Sequence, residues 1–170
     1  MTTSSLAPSP SAPLLDDEEQ LRARLAGYLQ AQTGRAWRVG AFTRYAVGFS
    51  WITYGFSAQE TGSAERRLIL RLGPPYGLYA PYSAGPQFAA LKALEGSHVP
   101  APQAYWWSDD VAILGAPFFV SELVVGSAPV PWTVGANQGF PADYRQRIGA
   151  QFVSALAALH CTEWRGHGFD

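Results

Sequence analysis

The chain has 170 residues, enough for one domain with a real hydrophobic core. Twelve basic side chains against thirteen acidic ones give a formal charge of -1, so no bulk field favours nucleic acid or an anionic membrane surface. The single cysteine, Cys161, excludes an intramolecular disulfide framework and any multi-cysteine metal knuckle, which suits a reducing compartment.

The N-terminal "MTTSSLAPSPSAPLL" has no basic n-region, and no stretch of the chain approaches the ~18 apolar residues of a membrane span. A cytoplasmic protein without a membrane partner is expected. Residues 1–13 carry no charge and are mostly Ser, Thr, Ala and Pro, with too little apolar side chain to offset the entropy of ordering them, so 1–15 reads as a disordered tail.

"DDEEQLRARLAGYLQAQTG" then reads as a helix. Asp16 or Asp17 can cap it, Glu18 and Glu19 suit its first turn, Gly34 can end it, and Leu21, Leu25, Tyr28 and Leu29 form one apolar stripe. After it the period changes: "WRVGAFTRYAV", "SWITYGFSA" and "RRLILRL" are short runs rich in aromatic and β-branched residues, which predicts a three-stranded antiparallel meander. "SAGPQFAALKALEGS" predicts a helix with Phe88, Leu91 and Leu94 facing inward. "QAYWW" predicts a fourth strand that turns at Asp109-Asp110, and "PFFVSELVVG" a buried fifth strand bounded by Pro117 and Gly126. A loop from Ser127 to Pro141 leads into "PADYRQRIGAQFVSALAALH", a helix expected to turn Ile148, Phe152, Leu156 and Leu159 toward a core. The fold class is therefore α+β, with a five-stranded antiparallel sheet.

Four segments, "LILRLGPP", "ALEGSHVPAPQAYWW", "GAPFFVSELVVG" and "LAALH", together with the hairpin turn "YAVGFSWITY", resemble the aminoglycoside phosphotransferase family of protein-kinase-like enzymes, especially its acyl-CoA-dehydrogenase-associated branch. The resemblance covers about residues 37–165. It implies a kinase-like N-lobe with a leading helix over 16–125, and the hinge-following loop and first helical elements of an incomplete C-lobe over 126–170.

The resemblance also implies roles for individual residues. Gly48, Ser50 and Thr53 match the hairpin turn that covers ATP phosphates, where amide N–H groups and small side chains approach phosphate oxygens closely. Arg71 matches the strand cation that grips the α and β phosphates, and a guanidinium can donate in parallel to two oxygens. Gln87 stands where the family carries the carboxylate that holds this cation; it can hydrogen-bond Arg71 but cannot neutralise it. Ser121 falls at the back of the adenine pocket, with the Glu122 carbonyl and the Val124 amide reading the adenine edge, and Val47, Leu70 and Leu123 as candidate walls. Read from the residues alone, an ordinary hairpin turn, a solvated strand-end arginine and a plain core strand account for the same three segments.

The histidines and the terminal "RGHGFD" carry less. His160 matches the family's "LAxLH" histidine and suits a structural tie rather than a catalytic base. The family's "HGDxxxxN" loop and later metal-binding aspartate have no counterpart, because His167, Gly168 and Asp170 lack the following Asn; no catalytic or metal-binding residue is assigned. Three readings stay open. The first is the N-terminal, nucleotide-binding portion of an ATP-dependent phosphotransferase acting on a small-molecule hydroxyl, inactive alone, with Mg²⁺ bound only alongside the missing C-terminal part. The second is a non-catalytic kinase-like remnant that binds nucleotide or serves as an interaction module. The third is a generic α+β protein.

Overall fold

The computed structural model describes residues 17–45, 50–77, 80–126 and 141–166. The expected N-terminal tail, Val47, Gly48, most of the loop after Gly126, His167 and Asp170 lie outside the described residues.

The first helix, α1 (Glu18–Thr33), forms where its caps predict. Asp17 accepts from the Glu19 and Gln20 amides at 3.0 and 3.1 Å, and Gly34 closes the helix at φ 72°, a conformation that disfavours any residue with a Cβ. Leu21, Leu25 and Leu29, spaced by four, are all buried and lay α1 across one face of the sheet. Tyr28 adds an edge-on contact to Phe118 at 5.0 Å and donates its hydroxyl to the Trp107 carbonyl at 2.9 Å. Burial pushes the Tyr28 phenol above its ordinary pKa.

The sheet has six strands: β1 (Trp37–Val39), β2 (Thr43–Tyr45), β3 (Ile52–Glu60), β4 (Arg66–Leu72), β5 (Ala104–Ser108) and β6 (Phe118–Glu122). Every pairing is antiparallel, in the order β1-β3-β4-β6-β5, with β2 also on β3. The first expected strand is thus two segments on the same neighbour. Val39 pairs with Ala58 and Thr43 with Gly55, so four steps on one side oppose three on the other, a one-residue bulge. The cause lies in Gly40-Ala41-Phe42. Gly40 sits so close to Ser57 that a Cβ would lie 2.6 Å from its hydroxyl oxygen, and Phe42 leaves the ladder to pack its ring on Tyr54 and Phe56.

Strand β4 is central and alternates cleanly. Leu68, Leu70 and Leu72 are buried toward α1, with Tyr54, Phe56, Phe118 and Val120 beside them. Ile69 and Arg71 therefore point to the opposite face, where α2 (Gly85–Leu94) lies with Phe88 and Leu91 against Trp51 and Phe119. A short helix not anticipated from the sequence, α3 (Val111–Leu114), is capped by Asp110 and ended by Gly115 at φ 85°. It carries the chain between β5 and β6.

The last helix, α4 (Ala142–His160), has the expected amphipathic pattern but not the expected burial. None of its residues is buried; Phe152 is 67% exposed and Val153 65%, with Ile148, Leu156 and Leu159 also exposed. The stripe states what the helix would bury, and no described residue packs on it closely enough to do so. His160, its last residue, is exposed as well.

Stability should follow this division. Leu25→Ala, in the core under α1, is expected to cost about 2–5 kcal/mol in urea unfolding, whereas Phe152→Gln on α4 should change it by no more than about 0.5 kcal/mol.

Candidate functional site

The face of the sheet away from α1 gathers the polar residues. Registers place Thr53 and Phe119 on either side of Arg71, and Gly55 and Ser121 on either side of Ile69. A cleft of about 330 Å³ opens there, lined by Ile69, Arg71, Leu91, Pro102, Phe119, Ser121, Glu122 and Val124. A second, of about 580 Å³, is lined by Gln87 and lies between Ser50 and Trp51, just before β3, and Pro81, Tyr82, Ser83 and Pro86 before and within α2.

Arg71 stands between the two clefts. Its Nη1 donates to Gln87 Oε1 at 3.3 Å, and its guanidinium carbon lies 5.8 Å from the Trp51 ring centroid and 5.6 Å from that of Phe119. Nε is buried and has no partner among the described residues. The described residues also offer Arg71 no carboxylate within ion-pair distance. Loss of hydration lowers its pKa from the ordinary arginine value, while the group remains a cation at neutral pH. What results is a half-buried positive charge faced by two π clouds and one amide oxygen, with an N–H left to donate.

At the other end of the first cleft, Ser121 is buried and its hydroxyl reaches the Glu122 carbonyl only at a long 3.5 Å. The Glu122 carboxylate turns away to accept from the Gln103 amide at 3.3 Å, and its own amide donates to the Gln103 carbonyl at 2.8 Å. Val124 is 66% exposed, and its amide takes no partner among the described residues. A carbonyl with spare acceptor capacity and a free amide two residues on thus sit at the rim of an apolar cleft.

The structure therefore brings Arg71, Gln87, Glu122 and Val124 around one region, with Thr53 beside Arg71 and Ser50 at the second cleft. Gly48 lies outside the described residues; β2 and β3, which flank it in sequence, pair antiparallel with Tyr45 opposite Thr53. One expected wall is corrected. Leu70 is fully buried toward α1, because a strand alternates and Leu70 cannot share a face with Arg71; Ile69 takes that place. Leu123 lines a separate cleft of about 280 Å³ with Tyr45, Gly55 and Arg67 on the same face of the sheet. Trp51 packs in the core of this face, at 8% exposed, and its ring also faces Arg71, a coincidence that residue type alone does not announce.

Residues 52–169 match the phosphotransferase enzyme family known as APH. The chain belongs to this family. Its fold is similar to a crystal structure from Ralstonia eutropha described as a "putative aminoglycoside phosphotransferase", at a TM-score of 0.58 and 20% identity over 86% of this chain. A "putative fructosamine-3-kinase" from Thermobifida fusca matches 63% of the chain at 18% identity and a TM-score of 0.40. The chain spans about 40% of the first protein and 33% of the second. The first likeness agrees with the α+β kinase-like architecture; the second is too distant to carry an argument.

If Arg71 is a desolvated and uncompensated cation, it disfavours the folded state at every pH below its folded-state pKa, which includes the neutral range. Arg71→Met, which keeps the aliphatic stem, should accordingly leave unfolding free energy within about 1 kcal/mol of the parent or raise it. Urea denaturation at neutral pH checks this; a fall of several kcal/mol would mean the cation is a structural ion-pair partner.

Proposed function

We propose that the chain is the nucleotide-binding portion of an ATP-dependent phosphotransferase that acts on a small-molecule hydroxyl. The observation that carries this reading is Arg71: a half-buried guanidinium that finds, among the described residues, no partner for its Nε and no carboxylate beside it, in a member of a phosphotransferase family. A polyphosphate supplies the missing negative charge and accepts from Nε and Nη in parallel. This donor set suits the phosphates of ATP, and in this reading Ser50 and Thr53 add hydroxyl donors and Gly48 lets the backbone come close. The base would enter the apolar cleft of about 330 Å³, its edge read by the Glu122 carbonyl and the Val124 amide.

Phosphoryl transfer further requires a group to orient the acceptor hydroxyl and ligands for Mg²⁺. Among the described residues no three His, Cys, Asp or Glu side chains cluster so as to hold a metal ion. No transfer step is assigned to them. Arg71 and its neighbours hold and orient the nucleotide, and the apolar walls exclude water from it. No helix of the described residues is long and apolar enough to cross a membrane, and we retain the nucleotide and a small-molecule acceptor as the proposed partners, without nucleic acid.

A second reading, a non-catalytic nucleotide-binding module, is favoured by Gln87. An amide can hold Arg71 in place but leaves its charge unneutralised. Both readings require nucleotide binding; release of ADP that depends on an added hydroxyl acceptor favours the first, and binding without turnover the second.

Isothermal titration with ADP and ATP should show saturable one-site binding that weakens as salt rises. Arg71→Met should lower the affinity by about tenfold or more, the worth of a charge-assisted hydrogen bond. Unchanged affinity in that variant, or no binding by the parent, would overturn the proposal.

A further inference from the structure

The helix that presents Gln87 to Arg71 is held from outside itself. Its N-cap residue, Ala84, has no side chain able to cap, Pro86 occupies the first turn, and no residue between Gly85 and Leu94 is buried. The residues that lead into it are tied down by Asp109, just past the end of β5 and 25 residues away from Ala84 in sequence. Asp109 Oδ1 accepts from the Ala84 amide and Oδ2 from the Ser83 hydroxyl, both at 2.7 Å. These are among the shortest hydrogen bonds described in the protein, and both are charge-assisted. The adjacent acid caps the next helix directly, Asp110 accepting from the Ala112 amide at 2.9 Å, so the Asp109-Asp110 pair divides between two helices. Trp107 of the same strand closes the grip, lying 5.9 Å from the Phe88 ring and against Gly85, where an added Cβ would come within 3.2 Å of the indole.

We propose that Asp109 is a positioning residue for the anion site, acting through α2. The proposal rests on the nucleotide reading of Arg71. With Asp109 in place, the first turn of α2 is pinned to the end of β5, and Gln87, three residues beyond Ala84, is held over the guanidinium. Without it, the Ala84 amide and the Ser83 hydroxyl lose their acceptor, and the start of α2 is held only by its apolar contacts through Phe88, Leu91 and Trp107. The guanidinium then loses the oxygen that aims it, and its unpartnered Nε no longer faces a set direction. Asp109 touches no ligand in this arrangement; its effect passes entirely through Gln87.

Five variants of the full chain test this: Asp109→Ala, Asp109→Asn, Ser83→Ala, Gln87→Ala and the double variant of Asp109→Ala with Gln87→Ala, each with hydrogen exchange in the absence of nucleotide and ADP titration. In Asp109→Ala the amides of α2 should exchange about tenfold faster or more, with α1 and β4 unchanged. Ser83→Ala, which keeps the Ala84 bond, should show a smaller change in the same amides. ADP affinity should fall about two- to tenfold in both Asp109→Ala and Gln87→Ala, and the double variant should be no weaker than Gln87→Ala alone. Asp109→Asn, whose amide can still accept from Ala84 and donate to Ser83, should recover most of the affinity. Unaltered exchange in α2 of Asp109→Ala overturns the proposal, as do losses that multiply in the double variant. If the parent binds no ADP, the nucleotide reading falls with the proposal's link to the anion site, whereas equal ADP binding by the parent and Asp109→Ala overturns the positioning role alone.

Discussion

The candidate site is organised around a positive charge that no described residue neutralises. Removing a guanidinium from water is unfavourable unless hydrogen bonds and an opposite charge replace its hydration. Arg71 donates one long hydrogen bond to Gln87 and faces two aromatic rings, and no carboxylate among the described residues pairs with it. The surrounding construction follows from keeping that group in place. Central strand β4 fixes its backbone, Trp51 and Phe119 flank its side chain, and α2 is tied down at its start by an acid that lies too far away to quench it. A phosphate group resolves the imbalance in one step, which is why the charge is more informative about function than either cleft is by shape.

The same strand shows how fold and site share a few residues. Leu68, Leu70 and Leu72 join the core beneath α1 while Ile69 and Arg71 open onto the cleft, so seven residues of β4 serve both. A shift of register by one residue would send Arg71 into the core and Leu70 into the cleft. The hydrophobic core therefore fixes the direction of the guanidinium as firmly as any contact within the site.

Much of this was legible in the chain. The caps at Asp17 and Gly34 and the leucine stripe between them define α1 locally, and the alternation in "RRLILRL" carries the signal, missed in the expectation of Leu70 as a wall, that puts Ile69 on the face of Arg71. What was not legible depended on distant partners. The bulge at Gly40-Ala41-Phe42 arises because Phe42 finds Tyr54 and Phe56, and β6 lies between β4 and β5 although β5 precedes it, a pairing that no local pattern encodes. Helix α3, four residues long, is too short for a periodic signal. The second function of Trp51 and the reach of Asp109 to α2 are likewise contacts across the sheet. For α4 the pattern names an apolar face and cannot name its partner, and the described residues supply none.

The most direct test is to watch the Arg71 guanidinium itself. In a side-chain nitrogen–proton correlation spectrum of the full chain, with Arg71→Met used for assignment, one Nε–H resonance should move saturably as ADP is added, at the concentration where calorimetry reports binding. The same resonance should move with inorganic triphosphate, since the phosphates are what it grips, and should not move with adenosine. Nucleotide binding that leaves the Arg71 Nε–H signal unmoved would contradict the account, because the unneutralised charge would then have no part in holding the ligand.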